Sequence, residues 1–320
     1  MLTALILRLT DDDILMKISV LFGDYCPFHE SKDPGQIPLG LMDSGVETDL
    51  ITITKPVLKD YKPSFSVIQK SKEELLSDNF WNSLNSDVVI VYYLWLRYPS
   101  MLLKKIKLSG KKIILKLDND GRIAYPLQRH DHRVPLRERL SITNLVSEAF
   151  WLISPESIKR RKHKAYAEEF IRQVALSTAV IIESPAALAN LNYFLDAWDR
   201  SDLAQKIVFI PNPVTPDFLE GQVGEKENLA IAHGRWDDYQ VKNTAVMVTS
   251  AVEFLKQRPD WRFNVFGHGT ELVKKYLEPA PPEVKRRFAV SEFVPHEEVK
   301  GKLASAKLLF IPSRWESFSL

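Results

Sequence analysis

The sequence predicts an α/β protein of two domains, each built on a mostly parallel sheet. Short apolar runs rich in β-branched residues alternate with longer helical patterns, as they do where parallel strands are joined by crossover helices. The pattern restarts after a stretch rich in proline and glycine. The 320 residues also suit two cores, at roughly 150 residues each.

In the first half the apolar runs are 17–22, 48–53, 87–92, 112–117, 179–183 and 207–210. Helical patterns lie between them at 36–44, 72–84, 99–108, 155–175 and 185–198. Ser154 followed by Pro155 and Glu156 predicts a helix start, with a capping hydroxyl and proline at the first helical position. In the second half the runs are 229–233, 262–266, 288–291 and 308–312. Its first helix, 243–257, carries an apolar stripe at Ala245, Val248, Val252 and Leu255, and Pro259 closes it. The junction PNPVTPDFLEGQVGEKEN, residues 211–228, holds three prolines and two glycines. It divides the chain into domains 1–212 and 213–320. The sequence shows no short-period repeat and no low-complexity segment.

Composition narrows the class. Hydrophobic residues are 45% and charged residues 26%, as in a soluble globular protein. A net charge of +2 gives no reason to expect a nucleic-acid partner. Cys26, the one cysteine, cannot form an internal disulfide and fits a reducing cytoplasm. No stretch approaches the roughly 18 apolar residues of a membrane span. The apolar start MLTALILRLT runs into Asp11, Asp12 and Asp13 without the small-residue cleavage site of a signal peptide. Met16 reads as the start, because MKISVLFG leads straight into a buried strand, so residues 1–15 are expected to be a non-native or disordered extension. Residues 122–164 hold ten Lys and Arg against four Asp and Glu, with three histidines and the apolar patch LVSEAFWLI. They read either as a solvated basic helix face or as a contact to an anionic acceptor or to the inner face of a membrane. They lack the interleaved aromatics of single-strand nucleic-acid binders.

The strongest local pattern is LAIAHGRWDDYQVKN: a buried strand, Gly234, Arg235, then Lys242 at a helix start. Gly234 is expected to let the backbone turn sharply at the carboxyl end of the strand, where open α/β sheets place ligands. Arg235 offers a planar fork and Lys242 a point charge, which together can neutralise a diphosphate. By spacing alone, two surface cations beside a turn fit equally well. RFNVFGHGTEL repeats strand, glycine and helix with Gly267 and Gly269, a pattern that elsewhere often only permits close packing. LLFIPSRWESFSL places Glu316 in a turn that opens a helix. Its carboxylate can accept hydrogen bonds from two sugar hydroxyls, and the amides of Phe318, Ser319 and Leu320 would be free donors for phosphate.

In this order the segments resemble the retaining glycosyltransferases of family 4, whose architecture is the GT-B pair of Rossmann-like domains. HGRW…KN resembles the family's phosphate-binding pair, VFGHG its glycine loop near the nucleotide, and IPSRWESFSL the first half of its E-x7-E motif. FIPNPVTPDFL resembles the hinge between the family's domains, and AVIIESPAALANL the strand and helix before it. The resemblance covers roughly residues 178–320. In the first domain the loop after strand one retains only Gly35, and LKLDNDGR stands where the family has a histidine. Gly35 and Asp118 are candidates on the acceptor side. Asp118 and Asp120 form a D-x-D pair, which in another glycosyltransferase fold holds a divalent metal. The GT-B resemblance gives that task to arginine and lysine, so Asp118 reads as a cleft residue or as a plain turn aspartate.

The resemblance implies transfer of a sugar, with retention, from a nucleotide-diphosphate donor to a saccharide, lipid-linked glycan or small-molecule acceptor. Arg235, Lys242 and Glu316 would carry catalysis, while Gly234, Gly267, Gly269, Phe318, Ser319 and Leu320 would line the donor site. No cofactor and no metal is expected. A degenerate sugar-nucleotide-binding protein and a nucleotide-sugar epimerase are the alternatives. Because the second glutamate of E-x7-E would fall beyond Leu320, the chain is expected to be a truncated, weakly active piece.

Overall fold

In a computed structural model that describes residues 16–53, 62–92, 99–118, 153–214, 225–292 and 294–314, the apolar runs form two all-parallel sheets. The described residues up to 214 cluster as one compact unit and those from 225 to 314 as another.

The first sheet contains β1 (Lys17–Leu21), β2 (Glu47–Thr52), β3 (Ser66–Gln69), β4 (Val88–Tyr92), β5 (Lys112–Lys116), β6 (Ala179–Ile182) and β7 (Ile207–Phe209). Their order across the sheet is β3-β2-β1-β4-β5-β6-β7. The order reverses between β1 and β4, which pair with Val20 opposite Ile90. Its helices are α1 (Asp33–Asp43), α2 (Asp78–Ser83), α3 (Pro99–Leu108), α4 (Glu156–Leu176) and α5 (Pro185–Ala197).

The strands are unbroken apolar runs because both faces of the sheet are covered. Side chains alternate across a strand, so Val88, Ile90 and Tyr92 pack with Ile37 and Leu41 of α1. Val89 and Val91 join Trp81, Leu102, Leu103 and Ile106 from α2 and α3 on the other face. A further cluster sets Leu115, Val180 and Ile182 against Phe170, Val174, Leu191 and Phe194 of α4 and α5. Lys206 ties down the end of α4, its Nζ donating to the carbonyls of Ala175 at 2.8 Å and Ser177 at 2.7 Å.

Several expectations are corrected. The helix expected at 72–84 is a single turn, Lys72–Leu75, followed by α2. The break has local causes: Ser71 caps the turn by accepting from the Glu74 amide at 3.1 Å, and the indole of buried Trp81 donates to the Leu75 carbonyl at 2.7 Å. The N-cap of α4 is Pro155 and not Ser154, and no side chain caps it. Edge strand β3 was not among the expected runs.

The second sheet has the order β10-β9-β8-β11, from β8 (Glu227–Arg235), β9 (Arg262–His268), β10 (Phe288–Ser291) and β11 (Ala306–Leu309). Helix α6 (Thr244–Gln257) buries Met247, Val248, Ala251 and Leu255 against Ala230, Ala232, Phe263 and Val265. Of the expected stripe, Ala245 and Val252 are only half-buried. Helices α7 (Glu271–Leu277) and α8 (His296–Ser305) complete the described crossovers, together with short turns at Tyr239–Lys242 and Pro282–Lys285. The last strand ends at Leu309, short of the expected 312.

Candidate functional site

The site grows from the two central strands of the second sheet. β8 and β9 run in register to their carboxyl ends, with Gly234 opposite Gly267 and Arg235 opposite His268. Gly267 has φ +130°, and a Cβ there would lie 2.0 Å from the Gly234 carbonyl oxygen. Gly269, at φ +73°, would drive a Cβ to 2.6 Å from the Asp237 amide nitrogen. Only glycine fits either position, and the result is that the turns following the two strands touch backbone to backbone. The Trp236 amide seals the contact by donating to the His268 carbonyl at 2.7 Å.

Gly234 departs from the expected role. It is a strand residue without positive φ, and a Cβ there would meet Trp236 at an ordinary 3.6 Å and Lys242 Cδ at 3.7 Å. The turn begins only at Trp236, after the Arg235–His268 pair. Trp236 is fully buried, its indole donating to the Phe266 carbonyl at 3.1 Å. The Thr244 hydroxyl donates to the Trp236 carbonyl at 2.8 Å, locking the start of α6 to the end of β8.

This frame brings Arg235 and Lys242 to one strand end. Arg235 closes β8 with its side chain 73% exposed and forms an ion pair with Asp238 at 3.6 Å. Lys242 ends the short turn, its amide donating to the Asp238 carbonyl at 2.8 Å while its stem lies over Gly234. His268 stands at the end of β9 with Asp237 3.8 Å away. The cations stand at a carboxyl edge, the side of an open sheet that takes ligands, and can face an anion.

Two contributors were not singled out from sequence. Asn243 is the N-cap of α6 in the left-handed region, at φ 54° and ψ 46°. Its amide nitrogen donates to the Pro312 carbonyl at 3.2 Å, and its oxygen accepts from Arg314 Nε at 3.3 Å. The Arg314 amide donates to the Val241 carbonyl at 2.8 Å. Arg314 is thereby a third cation beside Lys242. The signal was an Asn directly before a helix, a residue that tolerates φ > 0. Glu316, Phe318, Ser319 and Leu320 lie outside the described residues, as do Asp120, residues 1–15 and most of 122–164.

In the first unit, Gly35 is not a loop residue as expected. It is buried in the first turn of α1, and a Cβ would lie 2.4 Å from Glu30 Cα, so it lets the helix start against the preceding turn. Asp118 is exposed just past β5, at the carboxyl edge. Beside it stands a buried cluster. Lys116, 2% exposed, forms an ion pair with fully buried Glu183, donates to Asn212 Oδ1 at 2.7 Å, and lies 3.4 Å from Asp33 Oδ2. Its ammonium also sits 5.5 Å from the centre of the Tyr92 ring. Burial pushes the Asp33 and Glu183 carboxyls above their usual range against the pull of Lys116, with Asp118 pushing both further up. Burial and the Asp33 charge raise Tyr92 well above the phenol range.

No family model matches the chain, and no curated protein sequence matches it. Solved structures do. HepE of Anabaena, in complex with UDP, superposes with a TM-score of 0.55 at 12% identity, over 94% of this chain and 75% of that one. The catalytic domain of starch synthase IV from Arabidopsis thaliana, bound to ADP and acarbose, gives 0.54 at 11%, over 96% and 80%. The MnaA–UDP structure from S. aureus gives 0.51 at 11%, over 92% and 73%. With its two parallel-sheet units, the chain has a fold of the GT-B type.

Proposed function

We propose that this protein is a glycosyltransferase that moves a sugar from a nucleotide-diphosphate donor to an acceptor, with retention, in the manner of family 4. The observation that carries the reading is the convergence of Arg235 and Lys242 at the end of β8, on a backbone held close by Gly267 and Gly269. Breaking a glycosyl–phosphate bond passes through an oxocarbenium-like state while negative charge grows on the leaving diphosphate. Fixed cations at that point stabilise the growing charge, each such donor being worth on the order of 10²–10³ in rate. Arg235 would grip two diphosphate oxygens and Lys242 a third. By the family resemblance, Glu316 would orient the sugar, and the amides of Phe318, Ser319 and Leu320 would complete the phosphate cradle. The likeness in fold to proteins solved with UDP or ADP supports a nucleotide ligand.

With two or three fixed cations, no bridging divalent metal is required. Transfer is therefore expected to survive EDTA. The test is incubation with radiolabelled nucleotide sugars and candidate acceptors, followed by product analysis. Label moving into acceptor supports transfer, and label remaining in an epimerised nucleotide sugar replaces it with epimerase chemistry. Binding of UDP or ADP without turnover would reduce the protein to a nucleotide-sugar receptor. Absence of nucleotide binding would overturn the reading.

A further inference from the structure

The second sheet carries a carboxylate across its glycine turns from the cations. Glu292 directly follows β10 and is exposed at the carboxyl edge of the sheet. Its backbone and its side chain are both fastened to the turn after β9. The Gly267 amide donates to its carbonyl at 3.3 Å, and the hydroxyl of fully buried Thr270 donates to its Oε1 at 2.8 Å. Among the described residues Glu292 has no ion-pair partner. Lys274 of α7 feels its charge but is committed to Glu271 at 2.6 Å. An exposed glutamate is ordinarily free to swing in water. This one is held in place by one oxygen, with Oε2 left to accept.

The carboxylate and the cations are joined by a bare row of backbone. Glu292 stands beside Gly267, Gly267 lies opposite Gly234 on β8, and the Lys242 stem passes over Gly234. The row therefore crosses two residues that carry no side chain. Its ends lie on β10 and β8, with β9 between them. Two strand spacings come to about 10 Å, the scale of a nucleoside from its 5′ phosphate to its base. A ligand whose phosphates sit on Arg235 and Lys242 can lie along this row and bring its other end to Glu292.

We propose that Glu292 reads the nucleobase of the donor and selects guanine, so that the substrate class is a guanosine-diphosphate sugar. The proposal rests on the nucleotide-sugar reading and adds the base to it. An ionised carboxylate only accepts hydrogen bonds, and it matches two parallel N–H donors best. Guanine presents such a pair, its N1–H and its exocyclic amine. Uracil presents one N–H between two carbonyls, whose oxygens a carboxylate repels. Adenine and cytosine each set a single amine beside a ring nitrogen that is itself an acceptor. Thr270 is the positioning residue: its hydroxyl fixes Oε1 and thereby the plane of the carboxylate.

The full chain is titrated calorimetrically with GDP, IDP, UDP and ADP. GDP is expected to bind roughly tenfold or more tightly than UDP and ADP, as a bidentate base contact is worth. IDP lacks the exocyclic amine and should fall between. Glu292→Gln puts an amide N–H against the guanine amine and should weaken GDP binding roughly tenfold or more, with UDP affinity unchanged. Glu292 is exposed, so this isosteric change leaves the fold intact. Arg235→Ala separates the two levels of the argument. If no nucleotide binds, or if Arg235→Ala binds all four as well as the native chain, the nucleotide reading falls and guanine selection with it. If binding depends on Arg235 but GDP and UDP bind equally, guanine selection alone is overturned. A GDP preference that survives Glu292→Gln removes Glu292 from base recognition.

Discussion

Replacing Gly267 by alanine tests whether the contact between the two strand ends organises the second unit. The new Cβ would stand 2.0 Å from the Gly234 carbonyl oxygen, in the ladder where β8 and β9 pair. Relief requires the strands to part by more than about an ångström, and overpacking of this kind costs about 1–3 kcal/mol. The φ of +130° adds strain of about 1–3 kcal/mol for a residue with a side chain. Together these destabilise the β8–β9 contact by about 2–6 kcal/mol. Gly234→Ala is the control on the facing residue. There the Cβ meets nothing closer than 3.6 Å, and alanine in place of glycine at a compatible backbone stabilises by about 0.4–1 kcal/mol. Hydrogen exchange read on peptides spanning residues 227–235 and 262–268 follows local opening in the intact chain. At 1.4 kcal/mol per decade, Gly267→Ala should speed exchange there by about 25-fold or more, with Gly234→Ala unchanged or slower. Equal protection in the two variants would refute the steric account.

Three further outcomes are expected. Arg235→Ala should weaken UDP or ADP binding roughly tenfold or more by calorimetry, because losing a charge-assisted hydrogen bond costs about 1.5–3 kcal/mol; unchanged affinity would remove Arg235 from the phosphate site. Asn243→Ala should lower stability more than Asn243→Gly by about 1–2 kcal/mol in urea titrations, since both lose the bonds to Pro312 and Arg314 but only alanine is strained at φ 54°. For the Glu183 carboxyl, whose pKa folding raises, the folded state binds more protons, so its contribution to stability is greatest below the unfolded value near 4.5 and is lost as pH rises through the folded value. Unfolding free energies measured from pH 4 upward should therefore fall less steeply with pH in Glu183→Gln than in the native chain, and identical slopes would count against the assignment.

The framework was legible because parallel strands covered on both faces read as runs such as VVIVY and KIILK, and crossover helices leave their own period between them. SVIQ, the strand β3, was missed because an edge strand this short and half-exposed carries too few apolar residues to stand out. The three glycines of the site could be found but not ranked. Which of Gly234 and Gly267 is sterically obligatory depends on which backbone carbonyl faces the other, and one chain segment does not encode that. Attention in LKLDND went to Asp118, whereas the buried partner is Lys116. A lysine closing a strand normally reads as solvated, and its partners Asp33, Glu183 and Asn212 are far from it in sequence.

The Lys116–Glu183 pair also has a bearing on how the sheet chooses its alignment. The chain leaves β5 at Lys116 and rejoins the sheet only at Ala179, so this pairing closes a long excursion and is expected to form late in folding. Strands that are apolar on both sides offer weak discrimination between alignments, since sliding one past its neighbour exchanges one aliphatic contact for another. A buried ammonium is less forgiving. With Lys116 beside Ile181, Glu183 is within reach; with β6 slipped, the ammonium would keep only the longer contact to Asp33, at a cost of up to about 3–5 kcal/mol. One ion pair at the strand ends thus acts as a key for the β5–β6 seam, rejecting misaligned forms that the aliphatic residues alone would tolerate.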